Sequence, residues 1–151
     1  MLKKIVASVI ASVVVFCFIG STKSFADIGG KHPAYLHALS DLRFARAHLE
    51  KMTVSDRLND QEMRAIDEIN KAIGEIKRAA IDDGKDLNDH PAIDTNLNRT
   101  GRYHRVLEVL RKVRKDIGSE EDNGEVRGLR RRAYKHIDIA INIVKMLIER
   151  R

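Results

Sequence analysis

The chain has 151 residues, 43% hydrophobic and 33% charged, with one cysteine, no tryptophan and a formal net charge of +6. That length suits one domain with one core. Residues 27–98 carry 10 Lys/Arg against 14 Asp/Glu, whereas residues 99–151 carry 15 against 8, so the chain has an acidic front and a basic rear.

The first residues read as a leader. Lys3 and Lys4 precede an apolar run from Ile5 to Gly20, and the polar STKSFA follows with Ser24 and Ala26 as small residues before a cut. Residues 1–26 are therefore expected to be a cleaved Sec-type signal peptide. The run is shorter than the roughly 18–20 residues that a membrane-spanning helix needs. Cys17 lies inside it behind Phe16, a poor context for lipidation. A mature chain from 27 to 151 then has no cysteine, which excludes disulfides, thiolate zinc sites and covalently attached haem. Losing Lys3, Lys4 and Lys23 with the leader halves the net charge from +6 to +3. So mild a charge, together with export, argues against a nucleic-acid partner. The expected location is periplasmic or secreted (bacterial), with no transmembrane segment after signal cleavage.

Ala34–Met52 places apolar residues at 35, 38, 39, 42, 45, 49 and 52, the spacing of one helical face. Pro33 suits the first turn. Thr53–Gln61 is polar, with Asp and Asn that favour a turn and a new N-cap. Helical spacing resumes over Glu62–Ile81 through Ile66, Ile69, Ile73, Ile76 and Ala80, and Gly84 is a natural stop. The connector Asp82–Arg102 is long for a bundle turn. It could recross the bundle or sit at one end, and the sequence leaves both open.

The second half repeats the first at an offset of 68. Tyr35, Leu39, Leu42, Arg43 and Arg46 recur as Tyr103, Leu107, Leu110, Arg111 and Arg114. Ala65, Ile69, Ala72, Ile73 and Lys77 recur as Ala133, Ile137, Ala140, Ile141 and Lys145. Gly118–Gly128 stands in for the first hairpin's turn. Two amphipathic hairpins with a shared offset predict a duplication, and each leaves an apolar face that the other can cover. The expected fold is an all-α four-helix bundle with pseudo-twofold symmetry, hairpin 1 at about 34–81 and hairpin 2 at about 102–150.

Three residue sets are candidate sites. The connector carries Asp82, Asp83, Asp86, Asp89, His90 and Asp94, oxygen-rich as calcium sites are, but without the D-x-D-x-D-G spacing. On helix 1, His37, Asp41 and His48 fall within about 40° of one another at 100° per residue, a zinc or copper donor set. That stripe lies about 100° from the core centre, so ordinary solvated surface is the expectation. The repeat replaces the three by Arg105, Val109 and Asp116. On helix 4 the core face is Ala133, Ile137, Ala140, Ile141, Val144 and Ile148. Ile139, Ile143 and Met146 lie across from it, where helix 2 has Lys71, Glu75 and Arg78. A helix apolar on two faces is expected to be covered on two sides. The basic residues Arg127, Arg130, Arg131, Arg132 and Lys135 lie just upstream and would steer an acidic partner or an anionic surface.

Ferritin-like di-iron chemistry needs inward Glu residues and Glu-x-x-His pairs, and Ala133 stands three before His136. No nucleophile motif or Gly-rich phosphate loop is present. The reading is a non-enzymatic exported binding protein acting through helix 4, as a homodimer or with a protein partner, and without a cofactor. The alternative is a metal- or haem-binding periplasmic protein using His37, Asp41 and His48, or Asp86, Asp89 and His90.

The stretches HPAYLHALSDLRFARAHL, AAIDDGKDLNDHPAID and RGLRRRAYKHIDIAI resemble a group of small exported bacterial all-helical proteins of no assigned role. The resemblance covers nearly all of residues 27–151. It implies an exported helical protein and carries over no catalytic or ligand residues.

Overall fold

A computed structural model describes residues 33–51, 57–78, 84–118 and 124–150. The expected leader, Asp82, Asp83 and parts of both predicted hairpin turns lie outside these residues. The described chain forms α1 (Pro33–Glu50), α2 (Asp60–Arg78), α3 (Arg99–Gly118) and α4 (Gly124–Glu149), with no strand among the described residues. It is an all-α four-helix bundle.

Local chemistry sets the helix ends. Asn59 Oδ1 accepts from the Glu62 backbone N–H at 2.9 Å while Glu62 Oε2 accepts from the Asn59 N–H at 2.8 Å, a reciprocal capping box that starts α2. Asn98 Oδ1 accepts from the Gly101 N–H at 2.8 Å and starts α3. Gly84, at φ 68°, takes the left-handed conformation just after α2. The predicted turn up to Gly128 is too long, because α4 already begins at Gly124. Buried Val126 ties that first turn to the core, which outweighs the weak helix propensity of Gly128.

Four helix pairs pack together: α2 with α4 most extensively, then α1 with α3, α3 with α4, and α1 with α2. Their directions follow from side-chain pairs. Asp41 bonds Lys112 while the later Phe44 meets the earlier Arg105, so α1 and α3 are antiparallel. Glu68 bonds His136 and Glu75 bonds Arg132, so α2 and α4 are antiparallel too. Arg99 at the start of α3 donates to Glu62 and to the Arg57 carbonyl at the start of α2. These two helices therefore begin at the same end and sit on a diagonal, giving an up-down-down-up bundle. The connector must recross the bundle, a distance of about 28 Å for a 19-residue helix.

Its route runs over the outside of α1. Lys77 Nζ on α2 and Arg43 Nη2 on α1 both donate to the Lys85 carbonyl, at 2.8 and 3.3 Å. Arg46 Nη1 donates to the Leu87 carbonyl and Asn88 Oδ1. Pro91 and Ala92 then reach the flank of α3, where they share a groove with Arg105 and Val109. Arg102 Nη1 donates to the Leu97 carbonyl just before α3 begins. Enclosed by α2, α3 and the connector, α1 buries Arg43 and His48 completely as well as its apolar stripe.

The core repeats as the sequence does. Tyr35 and Tyr103, Leu42 and Leu110, Ala65 and Ala133, Ile69 and Ile137, and Ala72 and Ala140 are buried in both copies. Glu68 and His136 occupy the same position of the two repeats and lie 2.6 Å apart. The pseudo-twofold axis therefore passes between them.

Candidate functional site

The outer face of α4 differs from expectation at its apolar residues. Ile143 is only 3% exposed and belongs to the core, Ile139 is partly buried against it, and Met146 alone is exposed, at 38%. The geometry explains the correction. Ile143 follows Arg132 by eleven residues and His136 by seven, which puts all three within about 40° on the helix. Arg132 and His136 reach Glu75 and Glu68 of α2. Ile143 thus faces α2 in the most extensive helix contact of the bundle. Its repeat partner Glu75 is buried in the same interface, satisfied by Arg132 at 2.9 Å and Arg78 at 2.6 Å. Of the second apolar face, Ile143 belongs to the intramolecular contact with α2, whereas Met146 stays exposed.

The basic residues divide. Arg132 is committed to Glu75, and Arg130 is half-buried. Arg127, Arg131 and Lys135 are exposed at four-residue spacing and make no ion pair among the described residues. At 100° per residue they form one row along α4. Arg111 and Lys115 are exposed on neighbouring α3, also without an ion pair among the described residues. Arg114 is bound to Asp138 at 2.5 Å, lies over the Tyr134 ring at 5.4 Å, and has its pKa raised by that carboxylate.

The helix 1 metal set is not brought together. His37, Asp41 and His48 share a face, but 41 and 48 are about 10 Å apart along a helix axis and 37 and 48 about 16 Å. A single ion cannot span that. Asp41 bonds Lys112, whose pKa it raises, and His37 is exposed. His48 is not solvated surface as expected: it is 0% exposed, with Asp94 and His90 of the connector near it. Its ring meets Phe44 edge-on at 4.4 Å, and neither ring nitrogen has a hydrogen-bond partner. Burial, then Arg105 and Arg102, lower its pKa.

In the connector, Asp86 Oδ1 accepts from the Asn88 and Asp89 N–H groups, an Asx turn. Asp89 lies 3.7 Å from Lys85, and His90 Nδ1 lies 2.8 Å from the Pro91 carbonyl. Among the described residues no group of three or more His, Cys, Asp or Glu is placed to hold a metal.

Two features were missed in the sequence. Beside the connector, a half-open groove of about 480 Å³ is floored by Phe44 and Val109 and rimmed by Asp41, Lys112, Arg105, Glu108, Pro91 and Ala92. Its charges are already paired, Asp41 with Lys112 and Glu108 with Arg105. At the end where the connector lands, buried Glu62 accepts from Arg99, from the Tyr103 hydroxyl at 2.6 Å and from the Asn59 N–H. Burial raises its pKa, but the bonds from Arg99, Tyr103 and Asn59 outweigh this and hold it below the usual value. Asn59-x-x-Glu62 is a capping-box pattern, the one sequence signal for that cluster.

No protein-family model matches the chain, and neither a curated protein nor a solved structure is detectably similar to it.

Proposed function

We propose that this chain is a non-enzymatic binding protein, exported by its 1–26 leader, that docks an acidic protein surface on α4. The observation that carries this is the exposed row Arg127, Arg131 and Lys135, with Arg111 and Lys115 beside it on α3. Fixed cations on a rigid helix raise the encounter rate of an acidic partner. Exposed Met146 and half-buried Ile139 farther along α4 give apolar contact next to the charges, the mix that protein interfaces favour. A second copy is a poor occupant of the same face. An isologous contact opposes a patch to itself, which here sets cation against cation.

The test is fluorescence anisotropy with labelled poly-L-glutamate at low and moderate salt, beside phosphatidylcholine vesicles with and without phosphatidylserine. Salt-sensitive peptide binding, weakened at least tenfold by R127E/R131E/K135E with an unchanged helical spectrum, supports the reading. Binding to anionic vesicles alone, or peptide binding that the triple variant leaves intact, overturns it. Sedimentation that shows a dimer abolished by the same variant overturns it as well. Export predicts a mature N-terminus at Asp27 in the periplasmic or culture fraction, and an uncleaved cytoplasmic product defeats that part.

A further inference from the structure

We propose that the crossover segment 84–98 is an acid-released strap and that His48 beneath it is the trigger. The imidazole is completely buried with both nitrogens unpartnered. In that place it can be neutral, packed edge-on against Phe44. It cannot take a proton there without cost, because imidazolium has two N–H donors and a charge, and neither ring nitrogen has a protein acceptor within hydrogen-bond distance.

The surrounding charges favour the same outcome. From α3, Arg102 and Arg105 repel a cation at His48, and from the connector His90 does so too. Asp94, also on the connector, is the attractive neighbour. Arg105 is tempered by Glu108 at 2.7 Å, whereas Arg102 is buried and donates its bond to the strap carbonyl of Leu97. One strap carboxylate is thus set against two guanidinium groups and the loss of hydration. Solvent reaches the ring when the cover lifts.

The strap is the element built to yield. It has no helix or strand, and most of its side chains are exposed; His90, Ile93 and Leu97 are its half-buried ones. Arg43, Arg46, Lys77 and Arg102 hold it to the helices by hydrogen bonds to strap carbonyls and Asn88. The helices below share a continuous apolar core. Opening with few buried contacts lies at the low end of the local stability range. Lifting the strap widens the half-open Phe44–Val109 groove and uncovers the outer side of α1.

The sign is fixed by linkage. The closed state holds His48 below its free value of about 6.5, so the open state binds the extra proton. The open fraction then rises about tenfold per pH unit as pH falls below about 6.5. The experiment is heteronuclear NMR of the mature chain from pH 7.5 to 4.5, following the His48 ring together with the amides of 84–98 and of the α2–α4 core. The expected result is a connector transition with the same midpoint as His48 while Ile69 and Ile137 amides stay native. In His48→Leu the connector stays closed across that range, with less than a twofold change in its exchange protection. An Asp94→Asn chain, lacking the attractive neighbour, opens at higher pH. Connector opening that persists unchanged in His48→Leu overturns the proposal, as does simultaneous loss of the core amides in the wild type.

Discussion

Placing a methyl group at Gly118 probes a close approach of α3 to α4. A Cβ built there would lie 2.2 Å from the Tyr134 hydroxyl oxygen and 3.6 Å from Cζ. The first distance is more than 1 Å inside van der Waals contact, and the second is an ordinary contact. Tyr134 must therefore tilt away, disturbing its contact with Arg114 at 5.4 Å. Overpacking of this kind costs about 1–3 kcal/mol, offset by up to about 1 kcal/mol because Ala is the better helix residue. Gly118→Ala should thus lose about 1–2 kcal/mol. In a Tyr134→Phe background the clashing atom is gone, and the same change should be neutral or stabilising by about 0.5 kcal/mol. Urea denaturation followed by far-ultraviolet circular dichroism on the four chains gives the coupling energy. Strict additivity, with Gly118→Ala costing the same in both backgrounds, would refute the proposed contact.

Other expectations follow from buried groups. Glu62→Gln should cost about 2–3 kcal/mol at pH 7, since it weakens three charge-assisted bonds at the landing point of the connector. Because the folded pKa of Glu62 is depressed, its contribution is complete above about 4.5 and is lost as pH falls through the folded value. Denaturation at pH 7 and pH 3 should show a smaller difference for Glu62→Gln than for wild type, and equal differences would defeat this. Ile143→Asp should unfold or severely weaken the bundle, by about 3–5 kcal/mol, and a folded variant with an unchanged melting temperature contradicts its burial. His136→Glu sets two carboxylates face to face on the pseudo-twofold axis and should cost up to about 4 kcal/mol at a separation of about 4 Å and an effective dielectric near 20. Thermal melts at pH 7 and below pH 4, where protonation should restore the loss, check it.

The architecture was open to reading because its signals are local and repeated. Apolar spacing placed the predicted starts and ends of α1 and α2 within about three residues of those observed, and the 68-residue offset paired the cores correctly. What escaped depends on which neighbour a helix meets. Periodicity ranks Ile143 as outward because it lies about 100° from Val144, at the margin of the core stripe, yet the breadth of the α2–α4 contact buries it. His48 sits on a flank by the same rule and is sealed only because an irregular segment, with no periodicity of its own, passes over α1. Rotation about the axis suggested a shared ligand set for His37, Asp41 and His48, while rise along the axis separates them. Arg127, Arg131 and Lys135 needed no tertiary knowledge, whereas the engagement of Arg132 by Glu75 did.

The Glu68–His136 contact also bears on how such a chain could arise. In a dimer of two identical hairpins, any residue on the symmetry axis confronts its own copy. Glu would oppose Glu, which sets two carboxylates together, or His would oppose His, which leaves the ring no carboxylate to pair with. Fusion into one chain removes that restriction, because each half can then change alone. The 2.6 Å contact between Glu68 and His136 is a sign of divergence after joining, a pairing that strict symmetry forbids. The same argument covers Glu75 opposite Arg132, whose image across the axis is Ile143 with Arg64. One half holds a buried carboxylate with its guanidinium partner, and the other sets buried Ile143 beside exposed Arg64, so each hairpin is now fitted to its fused partner rather than to itself.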